Sequence, residues 1–211
     1  MASLNQIVYN LAEQAGDPTN TVLIERLKFM VEYYRALFVR RDSERNFNVP
    51  DRLAQDLSYE MEWVSSIEAC GIALPCQFLR TKEMVPAPIN TKGKSGFLYV
   101  GTPDGTESFQ YVVEAQVPYA VTGKFSGHVP KYFYKNSRIY VANTSTQCID
   151  VKLIAESPVT GGNAGGGGVT CLSPDAEYPI TMDMVQRVTE AIFKNELAAQ
   201  RPNDDEQIEI K

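Results

Sequence analysis

Histidine is nearly absent from this sequence, which contains only His128 among its 211 residues. Side-chain catalysis of acyl transfer and hydrolysis most often relies on an imidazole placed beside the nucleophile. His128 lies between Gly127 and Val129-Pro130, and no serine or cysteine occupies a familiar catalytic signature. We therefore interpret His128 as a loop residue and expect that the protein is not an enzyme.

Cysteine is scarce, and its spacing does not suit a metal. The cysteines are Cys70, Cys76, Cys148 and Cys171, whereas zinc-binding pairs normally have roughly two to four residues between them. Residues 1–10 lack the positive charge and apolar segment of a secretory signal. We therefore expect reduced, buried thiols and predict neither a metal nor any other cofactor.

Long apolar runs and a net positive charge are also missing. No run of about 18 apolar residues occurs, so the sequence predicts no membrane span. The formal net charge is −6, whereas proteins that bind nucleic acid over a broad surface normally have a basic face. This balance argues against broad DNA or RNA binding, although it is compatible with a local basic patch.

Two glycine-containing segments fail as phosphate-binding sites. Gly93-Lys94-Ser95 resembles the end of a phosphate-binding loop, but Pro88 stands where that motif needs its first glycine, and proline has no N–H to donate. The glycine-rich run at 161–168 lacks a lysine at the required spacing. We interpret the first segment as a loop before a strand and the second as a flexible loop.

The first part of the chain, residues 1–47, has the pattern of a helical hairpin. Ser3 and Gln6 form a capping-box pattern before a helix, and Gly16-Asp17-Pro18 ends it. A second helix is predicted from about Thr19 or Asn20. Its apolar residues follow helical spacing and comprise Leu23, Leu27, Met30, Tyr34 and Leu37.

Residues 48–172 have the pattern of an antiparallel β domain, either a sheet or a small sandwich. Leu57, Tyr59, Met61 and Trp63 alternate with polar residues, which favours a strand over a helix. The whole segment from 96 to 156 is predicted to be β structure with five or six strands. This segment is predicted to contain a turn at Thr102–Gly105, a strand at Phe109–Ala115 and a hairpin around Lys135–Arg138. The carboxylates of Glu60 and Glu62, on the strand predicted before it, are expected to be simply solvated.

The last part of the chain predicts a helix followed by an extended arm. A helix within 173–202 starts near Thr181 and ends before Pro202, and the tail 203–211 is acidic before it alternates polar and apolar residues. The fold class predicted for the whole chain is therefore α+β. The helix has two apolar stripes, which are Met184, Val188 and Ile192, and Val185, Phe193 and Leu197.

Three groups of residues are candidates for protein contacts. Four arginines gather near the end of the second helix, where they predict docking to an acidic surface or to DNA phosphate, or else form a solvated helix end. One stripe of the C-terminal helix is predicted to contact the β domain, and the other, which contains Phe193 and Leu197, is predicted to contact a neighbouring subunit. Alternating residues in the tail predict a docking arm, or else belong to a disordered terminus. The candidates are Arg35, Arg40, Arg41, Arg45, Phe193, Leu197, Ile208 and Ile210.

Two stretches together resemble a known group of proteins. Asp51–Val64 and Asp175–Leu197, in this order after a helical hairpin, are similar to small virion proteins of crAss-like tailed bacteriophages, in particular the ring proteins stacked below the portal in a short-tailed virion. The resemblance implies a twelve-fold cyclic homo-oligomer in the virion, assembled in the host cytoplasm. It implies contacts with the portal protein and other tail ring proteins, and a channel that packaged DNA traverses without specific binding.

Other functions remain open from the residues alone. The chain could be another virion component, such as a cargo or tail-hub protein. It could be a small ligand-binding β module. It could also be an enzyme whose site is assembled from scattered polar residues.

Overall fold

A computed structural model describes residues 2–45, 50–74, 77–90, 96–124, 128–160 and 170–197. They fall into two compact units, one formed by the described residues up to Arg45 together with those from Pro174 to Leu197, and the other by the described residues from Pro50 to Ser173. The first is helical and the second is mainly β structure, so the predicted α+β class is confirmed. Several predictions fall outside the described residues, namely those on Cys76, Gly93–Ser95, the glycine-rich run at 161–168, Pro202 and the tail 203–211.

Helices begin and end the described chain, and the strands lie between them. The helices are α1 Leu4–Gln14, α2 Thr21–Arg45, α3 Ser66–Cys70, α4 Val117–Thr122 and α5 Met182–Ile192. The strands are β1 Gln55–Val64, β2 Phe78–Thr81, β3 Phe97–Gly101, β4 Gln110–Tyr111, β5 Lys131–Lys135, β6 Arg138–Ala142, β7 Cys148–Leu153, β8 Val159–Thr160 and β9 Thr170–Cys171. Asp51–Leu53 and Glu114–Gln116 form single 3₁₀ turns, and Phe193–Leu197 forms a π-helical turn.

Local sequence determines the ends of the helices in the helical unit. The capping box before α1 is present, because Gln6 N–H donates to Ser3 Oγ at 3.2 Å and Ser3 N–H donates to Gln6 Oε1 at 3.0 Å. Gly16 has a φ of +85° just after the helix, a conformation that glycine adopts without strain. Asn20 caps α2 by accepting a hydrogen bond from Leu23 N–H at 3.1 Å.

The core of the helical unit lies where α1 and α5 both pack against α2. Each helix contributes one apolar face, as expected for helices that bury a single stripe. The buried apolar residues are Leu4, Ile7, Val8, Leu11 and Ala12 of α1, Leu27, Met30, Val31, Tyr34 and Val39 of α2, and Met184, Val188 and Ile192 of α5.

A seven-stranded sheet in the order β3-β7-β1-β2-β6-β5-β4 forms the second unit. The long strand β1 confirms the strand predicted there from alternation. Its first part pairs with β7 and its last part pairs with β2, both antiparallel. Among the strands in the described residues, only the short β4–β5 pair is parallel, and β8 and β9 form a separate antiparallel ribbon.

The two ends of this sheet meet each other. Phe109 N–H donates to Val100 O at 2.8 Å, and Gly101 forms an isolated β-bridge with Ser108. The Phe97 ring on β3 also lies 5.9 Å from the Tyr132 ring and 5.3 Å from the Tyr134 ring on β5. The sheet therefore curls into a small barrel, and its interior is the larger apolar core of the unit.

A second apolar core lies on the outer face of the same sheet. Phe78, Phe133 and Tyr140 project from adjacent strands, and the helices α3 and α4 cover them with residues such as Ala69 and Val121. The Phe133 and Tyr140 rings stack at 5.1 Å with an interplanar angle of 9°. The middle residues of β5 and β6 are consequently buried on both faces, which explains the consecutive apolar residues Tyr132–Tyr134 and Ile139–Ala142 in these strands.

The prediction that the whole segment from 96 to 156 is β structure is wrong. Where Phe109–Ala115 was predicted to be a strand, only Gln110–Tyr111 pairs, and a 3₁₀ turn and α4 follow. Pro118 lies in the first turn of α4, a position where the missing N–H costs nothing. The predicted hairpin between β5 and β6 is confirmed, and its turn residues Asn136 and Ser137 have φ values of +51° and +57°.

Candidate interaction surface

Helix α2 has apolar residues on two opposite faces, one of which is buried in the helical unit. Four more apolar side chains lie on the opposite face at spacings of seven, four and four residues, which places them in one row. We call this set the outer row of α2; its members and their exposed fractions are Val22 at 78%, Phe29 at 69%, Tyr33 at 54% and Leu37 at 36%.

The centre of the outer row is an ordered aromatic patch. The Phe29 and Tyr33 rings stack with centroids 6.4 Å apart and an interplanar angle of 18°. Tyr33 also meets the buried Tyr34 edge-on at 5.3 Å. These contacts restrict the exposed rings before any partner binds, which lowers the conformational entropy lost on binding.

Arg35 is separated from the other predicted interface arginines because it is fully buried, with an exposed fraction of 0%. Its Nε donates to Pro179 O at 2.8 Å, and its guanidinium lies 5.7 Å from the centre of the Tyr178 ring. Burial lowers the pKa of Arg35, and the nearby Tyr178 and Glu32 oppose that shift. Within this chain, Arg35 therefore anchors α2 to the segment that precedes α5.

The other three arginines of that group, Arg40, Arg41 and Arg45, are exposed at the C-terminal end of α2. Arg40 lies seven residues after Tyr33 and continues the outer row beyond Leu37. The structure thus brings a cation into line with the exposed apolar row. Docking through these arginines stays a prediction.

The C-terminal helix is attached to α2 along its length. Arg187 makes a bidentate contact with Asp42, with N–O distances of 2.6 and 3.1 Å, and its guanidinium lies 4.8 Å from the centre of the Phe38 ring. At the other end of this region, Glu196 accepts a hydrogen bond from Tyr34 Oη at 3.3 Å and lies 3.6 Å from Arg26 Nη2.

The two predicted contact residues of the C-terminal helix lie in its π-helical turn. Phe193 and Leu197 are half-buried there. The stripe of Met184, Val188 and Ile192 is buried within the helical unit, where α5 packs on α2, and the prediction that one stripe contacts the β domain is wrong for it. A contact of Phe193 and Leu197 with another subunit stays a prediction. Ile208 and Ile210 lie outside the described residues.

A separate network of ion pairs lies on the outer face of the barrel. Glu62 contacts Arg80 at 2.5 Å and Arg138 at 3.4 Å, and Arg80 also contacts Glu68. Glu60 contacts Lys82 at 2.7 Å. The prediction that the carboxylates of Glu60 and Glu62 are simply solvated is wrong, because basic side chains on or next to the neighbouring strands pair with both of them.

Within the described residues, no group of three or more histidine, cysteine or acidic side chains could hold a metal ion. The half-buried thiol of Cys70 donates to Ser66 O at 3.0 Å, and Cys148 is also free and half-buried. No helix in the described ranges is long and apolar enough to cross a bilayer. The outer row of α2 is a contiguous exposed apolar surface, which is the kind of surface that marks a contact with a partner.

Sequence reasoning missed the outer row of α2. It assigned Leu37 to the buried face of the helix and did not assign Val22, Phe29 and Tyr33 to any face. The spacing of these residues was a usable signal, because it places them on the arc opposite Leu27 and its buried neighbours.

The chain matches a known protein family over nearly its whole length. The family described as phage tail ring protein 2, of crAss-like phages, matches residues 6–208. The match includes α1 from its third residue, the whole β unit and α5. No curated protein matches the chain.

Proposed function

Because the chain belongs to the phage tail ring protein 2 family of crAss-like phages, we propose that it forms a ring in the portal–tail connector of a short-tailed virion. A protein of this family is a structural component of the phage particle that assembles into a ring with other tail components. Our proposal goes beyond the family in assigning the position of the ring in the virion and the proteins that it contacts. In our proposal the ring is a twelve-fold homo-oligomer that contacts the portal protein and other ring proteins and lines the DNA exit channel.

The outer row of α2 is the observation that carries this proposal. A cyclic ring needs a heterologous contact, in which one surface of each copy meets a different surface of the next. An ordered, exposed aromatic patch flanked by cations has the composition of such a contact, since aromatic residues and arginine are enriched at protein interfaces. The phage ring family accounts for such an exposed patch, because the neighbouring copy would cover it.

The charge of the chain supports a channel function. With a net charge of −6, repeated copies around an axis would repel DNA phosphates and keep the duplex from adhering to the wall. In this proposal the protein acts through its surfaces and does not catalyse a reaction.

Reconstruction of the intact virion by cryo-electron microscopy tests the proposal. We expect density for this chain as a closed ring between the portal and the tail, with both its copy number and its neighbours read directly from the map. Cross-linking mass spectrometry of the same particles should give links between this chain and the portal protein. Density for the chain at another site, such as the capsid interior, would overturn the connector assignment.

A further inference from the structure

We propose that the outer row of α2 binds the C-terminal segment, residues 203–211, of the neighbouring copy. This inference rests on the proposed function, because a ring supplies the neighbouring copy. The inference assigns both surfaces of the ring contact, one to the described helix α2 and the other to the last residues of the sequence. Its evidence is the match in chemistry, spacing and position between those two surfaces.

The outer row presents apolar side chains followed by a cation. Tyr33 and Leu37 are separated by four residues, which corresponds to about 6 Å along the helix, and Tyr33 and Arg40 are separated by seven residues, or about 10 Å. Arg41 and Arg45 are exposed near the same end of α2. A complementary segment would therefore carry two apolar side chains on one face and, on the same face just beyond them, a carboxylate.

The last residues of the sequence have this arrangement in reverse order. Asp204, Asp205 and Glu206 precede Ile208 and Ile210. In an extended chain, Glu206, Ile208 and Ile210 would share one face with about 7 Å between successive members, whereas Asp205 would lie on the opposite face. An extended segment that runs antiparallel to α2 can therefore place both isoleucines on Tyr33 and Leu37 and the Glu206 carboxylate beside Arg40.

The described part of the chain ends close to the outer row of the same copy. Glu196 contacts Arg26 and Tyr34, and Arg26 lies on α2 between the turns that carry Val22 and Phe29. Residues 198–204 span at most about 23 Å when extended. That reach allows the segment to cross to an adjacent copy, and the heterologous geometry of a ring favours this because row and segment are two different surfaces.

Mixing two interface variants of the full-length chain tests the inference. The row variant carries Phe29→Asp and Tyr33→Asp, and the segment variant carries Ile208→Asp and Ile210→Asp. Native mass spectrometry should show that each variant alone loses oligomers relative to the wild-type protein. An equal mixture should form a heterodimer, because the intact segment of the row variant binds the intact row of the segment variant.

Two further variants separate docking from misfolding. Tyr119 on α4 is an aromatic residue that is 81% exposed, more than Phe29 or Tyr33. Tyr119→Asp should therefore leave both assembly and the circular dichroism spectrum unchanged. Arg40→Glu should weaken self-association at least tenfold, and Glu206→Arg supplied on a second copy should restore the contact. Rescue by the opposite charge requires that the two residues face each other.

Three results would overturn the inference. They are oligomers of the row variant that match the wild type, absence of the heterodimer, and a wild-type chain that stays monomeric at all concentrations. Absence of the heterodimer while the wild type still assembles would indicate that each segment binds its own copy. None of these results decides the connector assignment, which the position of the chain in the virion map tests separately.

Discussion

At the scale of single residues, the arginines of α2 show how burial separates side chains that the sequence places together. Arg35, Arg40 and Arg41 lie within seven positions of one another, yet Arg35 is fully buried and the other two are exposed. The partners of Arg35 are Pro179 O and the Tyr178 ring, more than 140 residues away. Clustering along the sequence could not reveal them, because they depend on how α5 and its preceding segment pack on α2.

Arg35→Ala should destabilise the protein by about 2–5 kcal/mol, because it creates a cavity and removes the buried donor to Pro179 O. Chemical denaturation monitored by circular dichroism measures the loss. Arg41→Ala is the matched control on the exposed side of the same helix, and it should change the free energy of unfolding by less than about 0.5 kcal/mol. Equal effects of the two substitutions would contradict the anchoring contact assigned to Arg35.

At the scale of elements, local signals predicted α1 and β1 well. The capping box of Ser3 and Gln6 depends on residues three positions apart, so its geometry follows from the sequence alone. The alternation likewise predicted β1, because Leu57, Tyr59 and Met61 lie on one face that is buried in the barrel, although Trp63 at the end of the set is exposed.

Helix α2 could not be assigned a single buried face from its sequence. Its apolar residues occupy two opposite arcs, and helical spacing alone does not say which arc meets the core. The helical unit buries Leu27 and Tyr34 and leaves Phe29 and Tyr33 exposed. The distinction arises from the packing of α1 and α5, which is a long-range property of the chain.

The barrel depends on contacts between the two ends of its sheet. Phe109, Tyr111 and Val113 alternate in sequence, but Phe109 is buried in the barrel core while Tyr111 and Val113 are exposed. The backbone hydrogen bond from Phe109 to Val100 joins residues at the two ends of the sheet. Alternation in this segment therefore did not represent one face of a strand.

The turn between β5 and β6 provides a test at the same scale. Ser137 has a φ of +57°, a left-handed conformation that costs a non-glycine residue roughly 1 kcal/mol. Ser137→Gly should therefore raise the free energy of unfolding by about 0.5–1 kcal/mol, measured by urea denaturation. Asn136→Gly is the control and should change stability less, since asparagine tolerates this conformation; a loss of stability in the Ser137 variant would contradict the assignment of strain.

At the scale of the whole molecule, charge is distributed unevenly along the chain. Helix α2 contains six basic and four acidic side chains, whereas the whole chain has a net charge of −6. Residues 204–206 are three consecutive acids. This asymmetry supports contacts between the α2 region and acidic segments of other copies, whereas the negative charge of the whole chain is unfavourable for broad nucleic-acid binding.

The purified wild-type chain should not bind duplex DNA measurably at physiological salt. Neutralising phosphates requires a basic surface, and the exposed arginines of α2 share their helix with Glu25 and Glu44. Fluorescence anisotropy with a labelled duplex measures the affinity, which we expect to be weaker than about 10⁻⁴ M, the lower limit of typical non-specific binding. The double variant Glu25→Lys with Glu44→Lys replaces both acids with bases and should gain salt-dependent DNA binding. This positive control shows that the assay can detect DNA binding by this chain. Tight binding by the wild-type chain would mean that α2 contacts the packaged DNA directly, and the arginines at its end would then face the channel instead of the acidic segment of a neighbour.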